Sequence, residues 1–323
     1  MEHQAQVIIV GGGLAGLSAA VYLARAKRDL LLVDSGKSMA RWEPQVENYL
    51  GFPAGISGGG LLERARRQAR RYGARLKRDL IRSARRVRGR FILKGKKDSY
   101  SCEKLLLATG AFHIPPDLPG FSSCIGRSMF FCKDCDGFRV QGKRVAVYGW
   151  SNATVRYAVA MLTYASEVFV VTDGREPTWD GKHRAALREY NIPVLCQPIT
   201  RVTRAGPRLK AMRFRGGEQR RIDALFTTRG DIVWNALGKE LGAKLDAEGQ
   251  IVTDVDMRTT VRGLYAAGCV TPANCQMIIA AGQGATAAQA INCDLFEESL
   301  NRRTRGRAGK SITSNRSSRG AGG

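Results

Sequence analysis

The feature that most constrains the fold is a glycine-rich turn near the start of the chain. A short apolar strand, Gln6 to Val10, runs into the turn Gly11 to Gly16, and a helical pattern follows from Leu17 to about Lys27. A second apolar strand, Leu30 to Val33, ends at Asp34. This order is the dinucleotide-binding fingerprint, which consists of a strand, a G-x-G-x-x-G turn, a helix and a second strand that ends in an acid roughly 20 residues on. The sequence therefore predicts an α/β protein with a Rossmann-like domain.

The residues of this turn have separate predicted roles. Gly11 permits the tight turn, Gly13 lets the backbone approach a pyrophosphate, and Gly16 lets the helix and strand close up. The free N–H groups at the start of the helix bind phosphate charge, and the acid accepts hydrogen bonds from a ribose. The predicted cofactor-binding residues here are Gly11, Gly13, Leu14, Ala15, Gly16 and Asp34. The position at the N-terminus favours FAD over NAD.

A second motif is the cysteine pair Cys132 and Cys135. Two cysteines at this spacing can close a small disulfide ring, and the adjacent Asp136 can transfer a proton to or from the leaving thiolate. The alternative is zinc, which needs four ligands and usually two such pairs. The chain has no second CxxC, and His113 is the only histidine within reach in sequence. Redox chemistry is therefore favoured, and no metal is predicted.

The composition is strongly basic, with 52 Lys and Arg against 28 Asp and Glu and a formal net charge of +24. Such a surface steers acidic partners over long distances. Nucleic-acid binding is disfavoured because the arginines lie mostly on apparent helices without interleaved aromatics. No apolar run approaches the roughly 20 residues that span a bilayer, and no secretion signal is visible. The predicted location is the cytoplasm, without membrane association.

The segment Cys132 to Phe138 resembles the C-x-x-C-D-G-F signature of low-molecular-weight thioredoxin reductases. Three further stretches, 46–53, 107–111 and 263–268, resemble motifs of the same family, and the similarity runs from Gln6 to about Leu300. The resemblance implies two Rossmann-like, three-layer ββα domains, with the second inserted into the first. The implied boundaries are 1–116 and 241–300 for the FAD domain, 117–240 for the inserted CxxC domain, and 301–323 for a basic tail.

The resemblance also implies roles for individual residues. Cys135 is the thiol next to the flavin, Cys132 attacks the substrate disulfide, and Asp136 is the acid–base group. Further FAD contacts are implied at Asn48, Thr109, Gly110, Gly268 and Gln276. Hinges are implied at Pro115–Pro116 and near Gly238, and family members are usually homodimers that act on thioredoxin.

The tail from Asn301 to Gly323 is rich in Arg, Gly and Ser and almost without apolar residues. Such a segment cannot bury enough surface to order itself, so disorder is predicted. The alternative is a basic arm that binds a dimer partner or an acidic redox protein.

The second nucleotide turn departs from the family. It spans 149–154 and keeps only its first glycine, because Ser151 and Thr154 replace the other two and Trp150 adds a large ring. Asp173 stands near the place where a basic cluster binds the 2′-phosphate of NADPH. NADPH is therefore not the expected donor. Loss of pyridine-nucleotide binding is favoured, while NADH, with Asp173 on its ribose, stays open.

The donor and direction of electron flow also have alternatives. A surface this basic favours an acidic electron-transfer protein such as ferredoxin. The reverse flow describes a dithiol oxidase that uses oxygen, although such oxidases more often carry histidine where this chain has Asp136. A third hypothesis is a flavin redox sensor that is reduced once without turnover.

Two cysteines replace residues of the FAD domain that the family usually keeps. Cys269 stands where the family has an aspartate, and Cys275 where it has an arginine. They are either small buried residues or an additional redox step, and the first interpretation is favoured.

Overall fold

Apolar strands and helices alternate at the start of the chain, as the fingerprint predicts. A computed structural model describes residues 1–118 and 121–317. Its α-helices are α1 (Leu14–Arg25), α2 (Gly58–Arg71), α3 (Lys133–Asp136), α4 (Asn152–Met161), α5 (Gly181–Glu189), α6 (Ala236–Glu240) and α7 (Met277–Ser317). Short 3-10 helices span Met39–Trp42, Phe121–Cys124 and Gly137–Val140. The strands are β1 (Glu2–Val10), β2 (Leu30–Asp34), β3 (Arg75–Arg78), β4 (Ile81–Val87), β5 (Arg90–Gly95), β6 (Ser99–Leu107), β7 (Ala111–His113), β8 (Met129–Phe130), β9 (Arg144–Tyr148), β10 (Glu167–Val171), β11 (Val194–Leu195), β12 (Ile199–Ala205), β13 (Arg208–Phe214), β14 (Gln219–Arg221), β15 (Ala224–Thr227), β16 (Asp231–Val233) and β17 (Leu264–Ala266).

The first of two compact units comprises Met1–Ser38, Leu62–Gly110 and the described residues from Val233 on. Its sheet has the order β3-β2-β1-β6-β5-β4, with β17 also paired to β6. Strands β3, β2, β1, β6 and β17 pair in parallel, and β4, β5 and β6 pair in antiparallel fashion. Strands buried on both faces need continuous apolar runs, which β1 and β2 supply.

Helices α1 and α7 bring the two ends of this unit's sequence together. A Cβ at Gly284 of α7 would lie 2.0 Å from the carbonyl oxygen of Ala15 in α1. Only glycine allows such a close approach of two backbones. The start of the fingerprint helix is therefore packed against a helix made from residues much later in the chain.

The second unit comprises Met39–Leu61 and Ala111–Ile232. Its five-stranded sheet, of order β11-β10-β9-β15-β8, is parallel throughout. An antiparallel meander, β12-β13-β14, and the two-stranded pair β7 and β16 complete its strands among the described residues. Both units thus have the parallel-sheet architecture predicted from the sequence.

The chain passes between the units at 38/39, 61/62, 110/111 and 232/233. Gly238, near which the second hinge is predicted, lies inside α6, where an added Cβ would stand 2.5 Å from Ile251. The hinge itself stays a prediction. The predicted domain boundaries stay a prediction.

Helix α7 continues past the predicted start of the tail. It runs to Ser317, whereas 318–323 lie outside the described residues, and the disorder of the tail stays a prediction. An existing helix extends by one hydrogen bond for each residue it adds, without a second nucleation cost. Across the described residues, no helix is both long and apolar enough to cross a membrane.

Candidate functional site

The geometry of the turn 11–16 fits a bound dinucleotide. Gly11 has a φ of +113°, and a Cβ there would lie 2.1 Å from the carbonyl oxygen of Ala108. A Cβ at Gly16 would lie 1.9 Å from the oxygen of Gly11, so both positions require glycine. A Cβ at Gly13, in contrast, would have the Ser38 hydroxyl 3.6 Å away as its nearest neighbour. Space is therefore kept open above the one glycine that a pyrophosphate must approach.

Asp34 closes this turn at the end of β2. Its Oδ1 accepts a hydrogen bond from the Gly12 N–H at 3.1 Å, and its Oδ2 lies 3.5 Å from Nη2 of Arg66. The side chain keeps about 17% of its surface exposed. The carboxylate is thus fixed at the turn with room for a ribose hydroxyl.

The later cofactor-binding candidates are divided between the two units. Thr109 donates its hydroxyl proton to the Trp234 carbonyl at 2.7 Å, and Gly110 has a φ of +74°. Gly268 has a φ of +83°, and a Cβ there would lie 3.1 Å from that of Ala15. The loop from Gly268 to Gln276 therefore starts beside the turn 11–16, whereas Asn48 belongs to the second unit. The structure thus brings Thr109 and Gly268 to the turn 11–16, while their contacts with FAD stay a prediction.

The redox cysteines lie at the start of α3. Cys132 and Cys135 form a disulfide, with their Cα atoms 5.3 Å apart, and both residues are half-buried. The Cys135 N–H donates to the Cys132 sulfur at 3.1 Å. Position 137 requires glycine, because a Cβ there would lie 2.7 Å from the Tyr164 ring. This contact gives the glycine of the motif a packing reason.

Asp136 is a buried carboxyl next to this disulfide, with about 4% of its surface exposed. Burial, and then the negative charge of Glu43, raise its pKa to about 7; Arg139 opposes the shift and Glu47 adds to it. A carboxyl with a pKa near neutrality exchanges protons efficiently in either direction.

Arg139 holds the acids around Asp136. Its Nε lies 3.1 Å from Asp136 Oδ1 without hydrogen-bond geometry, and its Nη2 lies 2.9 Å from Glu47 and 2.5 Å from the carbonyl of Gln45. Burial raises the pKa of Glu43, against the opposing charges of Arg139 and His113. Sequence reasoning missed Glu43, Glu47 and Arg139. The acid in the stretch 46–53 was the only signal that pointed to any of them.

An aromatic group supports the backbone just before Cys132. The ring of Phe131 stacks on His113 at 4.9 Å and lies 5.8 Å from Trp42. His113 in turn pairs with Asp231. His113, considered in sequence as a zinc ligand, thus serves as a packing and ion-pairing residue. No group of three His, Cys, Asp or Glu side chains suited to a metal ion is found in the part of the chain that the structure describes.

Comparison with known proteins gives the family of the chain. Residues 5–290 match the family described as pyridine nucleotide-disulphide oxidoreductase. The chain is 31% identical over 301 residues to a thioredoxin reductase of Treponema pallidum, which covers 90% of this chain and 97% of that protein. This chain belongs to that oxidoreductase family, in its thioredoxin-reductase-like branch. As a member, it is an FAD-dependent flavoprotein.

Solved structures show the same fold. The crystal structure of HlmI matches with a TM-score of 0.89 at 28% identity, over 95% of this chain and 98% of that one. A putative thioredoxin reductase from Bacillus anthracis matches with a TM-score of 0.83 at 25% identity, over 91% and 99%. The α/β fold with two dinucleotide-binding-type units is therefore the fold of this branch.

The flavoprotein's second turn is filled by its own side chains. The buried Thr154 hydroxyl lies 2.8 Å from that of Thr228, and it accepts the Ser151 N–H at 3.2 Å. The Trp150 ring carries the Arg175 guanidinium 4.8 Å above its centre. The Ser151 N–H and the Thr154 hydroxyl of this turn are thus bonded within the protein.

Asp173 is bound within the protein as well. Its Oδ2 accepts the Tyr148 hydroxyl at 2.8 Å, and its Oδ1 accepts the Ile199 N–H at 2.7 Å. Its φ is +54°, a conformation that Asp and Asn tolerate best. These contacts give the acid a structural role at the end of β10.

The remaining cysteines of interest form a second disulfide. Cys269 and Cys275 are bonded, with Cα atoms 5.0 Å apart, and both are half-buried. The interpretation of these two as small buried residues is therefore wrong. Two cysteines six residues apart meet because the loop between them turns back before α7 begins.

Proposed function

We propose that this flavoprotein passes electrons from FAD to the Cys132–Cys135 pair and on to the disulfide of a thioredoxin-like protein, without NADPH. The observation that carries the proposal is the disulfide beside buried Asp136, whose pKa is about 7. The protein substrate is supported by relatives named thioredoxin reductase.

FAD, when bound, supplies a two-electron couple. Opening the Cys132–Cys135 bond takes up two electrons, and protonated Asp136 gives a proton to one of the two sulfurs. The N–H of Cys135 stabilises a thiolate on Cys132, which is the sulfur assigned to attack the substrate disulfide. The Asp136 carboxylate then removes the proton from Cys135, which attacks the mixed disulfide. The two substrate sulfurs leave with the two electrons and take up two protons from solvent, Asp136 is again protonated, and the disulfide is restored.

The state of the second turn supports independence from NADPH. The turn lacks its second and third glycines, and the hydroxyls of Thr154 and Thr228 satisfy one another across it. A phosphate binds at such a turn through free backbone N–H groups, and the Ser151 N–H is already bonded. The internal bonds of Asp173 weaken the NADH alternative for the same reason.

The proposed donor is an acidic electron-transfer protein of the ferredoxin class. The net charge of +24 favours encounter with such a partner. Helix α2 alone exposes four arginines, namely Arg64, Arg67, Arg70 and Arg71. The cytoplasmic location and the homodimer stay predictions.

The test is an anaerobic titration of the yellow protein with NADPH, then NADH, then photoreduced ferredoxin, following flavin absorbance at about 450 nm. We expect both nucleotides to leave the flavin oxidised and ferredoxin to bleach it, with a thioredoxin then reduced catalytically. Bleaching by stoichiometric NADPH or NADH would overturn the donor proposal.

The variant Cys132→Ser/Cys135→Ser separates flavin reduction from disulfide transfer. It should still be bleached by ferredoxin yet reduce no thioredoxin. A wild-type protein that is reduced once and stops would be the redox sensor. One that dithiols bleach and oxygen restores, with no thioredoxin reduction, would be the dithiol oxidase.

A further inference from the structure

We propose that Cys269–Cys275 is a second redox-active disulfide, a site where this flavoprotein exchanges electrons with dithiols independently of Cys132 and Cys135. The two half-buried sulfurs lie on the loop between β17 and α7 in the first unit. This inference does not depend on the donor or the substrate proposed above.

The position of Cys275 favours it as a leaving group. Helix α7 begins at Met277, and its first bond runs from the Ala280 N–H to the Gln276 carbonyl, so Cys275 directly precedes the helix. The positive end of a long helix stabilises a nearby thiolate. Cys269 lies at the other end of the loop, next to Gly268. The two sulfurs therefore differ in electrostatic surroundings, as the sulfurs of exchange-active pairs do.

The loop does not need this bond to keep its shape. The Gly268 N–H donates to Oε1 of Gln283 at 2.8 Å, and the Thr271 hydroxyl donates to the Gly268 carbonyl at 2.8 Å. The Val270 carbonyl accepts the Ile251 N–H at 2.8 Å. A cross-link over six residues also removes less entropy from the unfolded chain than a longer one, because the stabilisation grows with loop length. Stabilisation of the loop therefore does not explain why the disulfide is present.

The reaction is a balanced exchange with a vicinal dithiol, whether a small molecule or a protein with a reduced C-x-x-C. One thiolate of the dithiol attacks the Cys269 sulfur, the disulfide bond breaks, and its electron pair leaves on the Cys275 sulfur. The second thiolate of the dithiol then attacks the dithiol's other sulfur, which is bonded to Cys269 in the mixed disulfide. This attack closes the dithiol's disulfide and releases Cys269 as a thiolate. The dithiol loses two electrons and two protons, and the pair gains them.

The experiment uses the FAD-loaded Cys132→Ser/Cys135→Ser protein with dithiothreitol as the probe, followed by alkylation and mass spectrometry of the peptides. The fraction of reduced Cys269–Cys275 is measured at a series of reduced-to-oxidised dithiothreitol ratios, in buffer and again in denaturing urea. We expect half-reduction in the folded protein at a ratio about tenfold less reducing than in the unfolded protein. A cross-link that stabilises the fold shows the opposite order and would overturn the proposal.

A second readout follows the reduced pair itself. Cys293 is an exposed free thiol on the same helix, and its pKa is raised by desolvation and by Glu297, so it serves as the internal control. At acidic pH, the alkylation rate of Cys275 should be at least about tenfold higher than that of Cys293. Equal rates would sink the leaving-group assignment. Because the peptides are resolved individually, the wild-type protein gives the same answer if the double variant fails to fold.

Discussion

The two glycine turns of this flavoprotein both follow a strand and begin with glycine, but the first is open and the second is filled by side chains. In the first unit, the space above Gly13 is open and the glycines around it are required by packing. In the second unit, the corresponding residue is Ser151, whose N–H is already bonded, and Thr154 and Thr228 fill the turn. The strand, the turn and the helix are retained in both. A fold can therefore keep its architecture after the phosphate site on which it is usually built has been filled.

The chemistry of the second unit lies elsewhere, around Cys132–Cys135 and Asp136. Glu43, Glu47 and Arg139 act on Asp136 beside that disulfide, so burial and charge set the protonation of this carboxyl. The comparison teaches that the predicted phosphate site lies in the first unit and the thiol pair in the second.

The largest expected effect is on cofactor binding at the first turn. Gly13→Val should fold, since its extended φ of −77° suits valine and its Cβ has room, yet the side chain occupies the pyrophosphate position. We expect FAD affinity to fall at least about 100-fold, a loss of about 2.7 kcal/mol. The flavin-to-protein absorbance ratio after gel filtration measures it. The matched variant Ser151→Val in the second turn should stay fully yellow, and a colourless Ser151→Val protein would break the comparison.

The next effect is on catalysis in the second unit. Asp136→Asn should lower the rate of thioredoxin reduction about 100-fold, because it removes the proton donor beside the disulfide. Wild-type activity should fall as the pH rises above about 7, where Asp136 loses its proton, and the variant should lack this step. Stopped-flow rates against pH check both statements. Asp134→Asn, which removes an exposed carboxylate, is the control and should behave as wild type.

A smaller effect concerns stability. The pKa of Asp136 is raised in the folded state, so the folded protein binds more protons than the unfolded chain between about pH 4 and 7 and loses stability across that range. Asp136→Asn removes the buried charge and should raise the free energy of unfolding at pH 8 by about 1–2 kcal/mol. At pH 4, close to the ordinary Asp pKa of 3.8, the carboxyl is protonated in the folded state and only about half ionised in the unfolded chain, so the difference should nearly vanish. Thermal melts at the two pH values measure it, and a variant less stable at pH 8 contradicts the pKa assignment.

The smallest expected effect is at Asp173. Asparagine keeps an oxygen for the Ile199 N–H and tolerates the φ of +54°, so Asp173→Asn should cost less than about 1 kcal/mol. In the variant, as in the wild type, NADH should not reduce the flavin. If wild type shows slow reduction by NADH that the variant loses, Asp173 binds a ribose and the second turn is not closed.

The features predictable from sequence are those encoded by neighbouring residues. The turn 11–16 and the cysteine pair depend on spacings within a few residues, and both are found where the sequence placed them. Thr154 was predicted to damage the second turn, but its partner Thr228 follows much later in the chain and gave no signal. The same holds for Glu43, which reaches Asp136 only through folding of the second unit.

Local spacing also failed where a loop or a helix end decides the outcome. The distance between Cys269 and Cys275 in sequence permits a disulfide but does not require one, because the loop between them is free to run either way. Gly238 shows a related limit, because a glycine in sequence indicates conformational freedom, whereas this one packs closely against Ile251 within α6.

The contact between Gly284 and Ala15 has a consequence for synthesis of the protein. The ribosome makes the fingerprint helix first, yet the helix that covers it emerges after the whole second unit has been made. The second unit, apart from residues 39–61, is one continuous segment and is able to condense earlier. The first unit must wait, with part of its apolar surface uncovered, until the end of translation. Chaperones and free flavin should therefore matter most in that late interval.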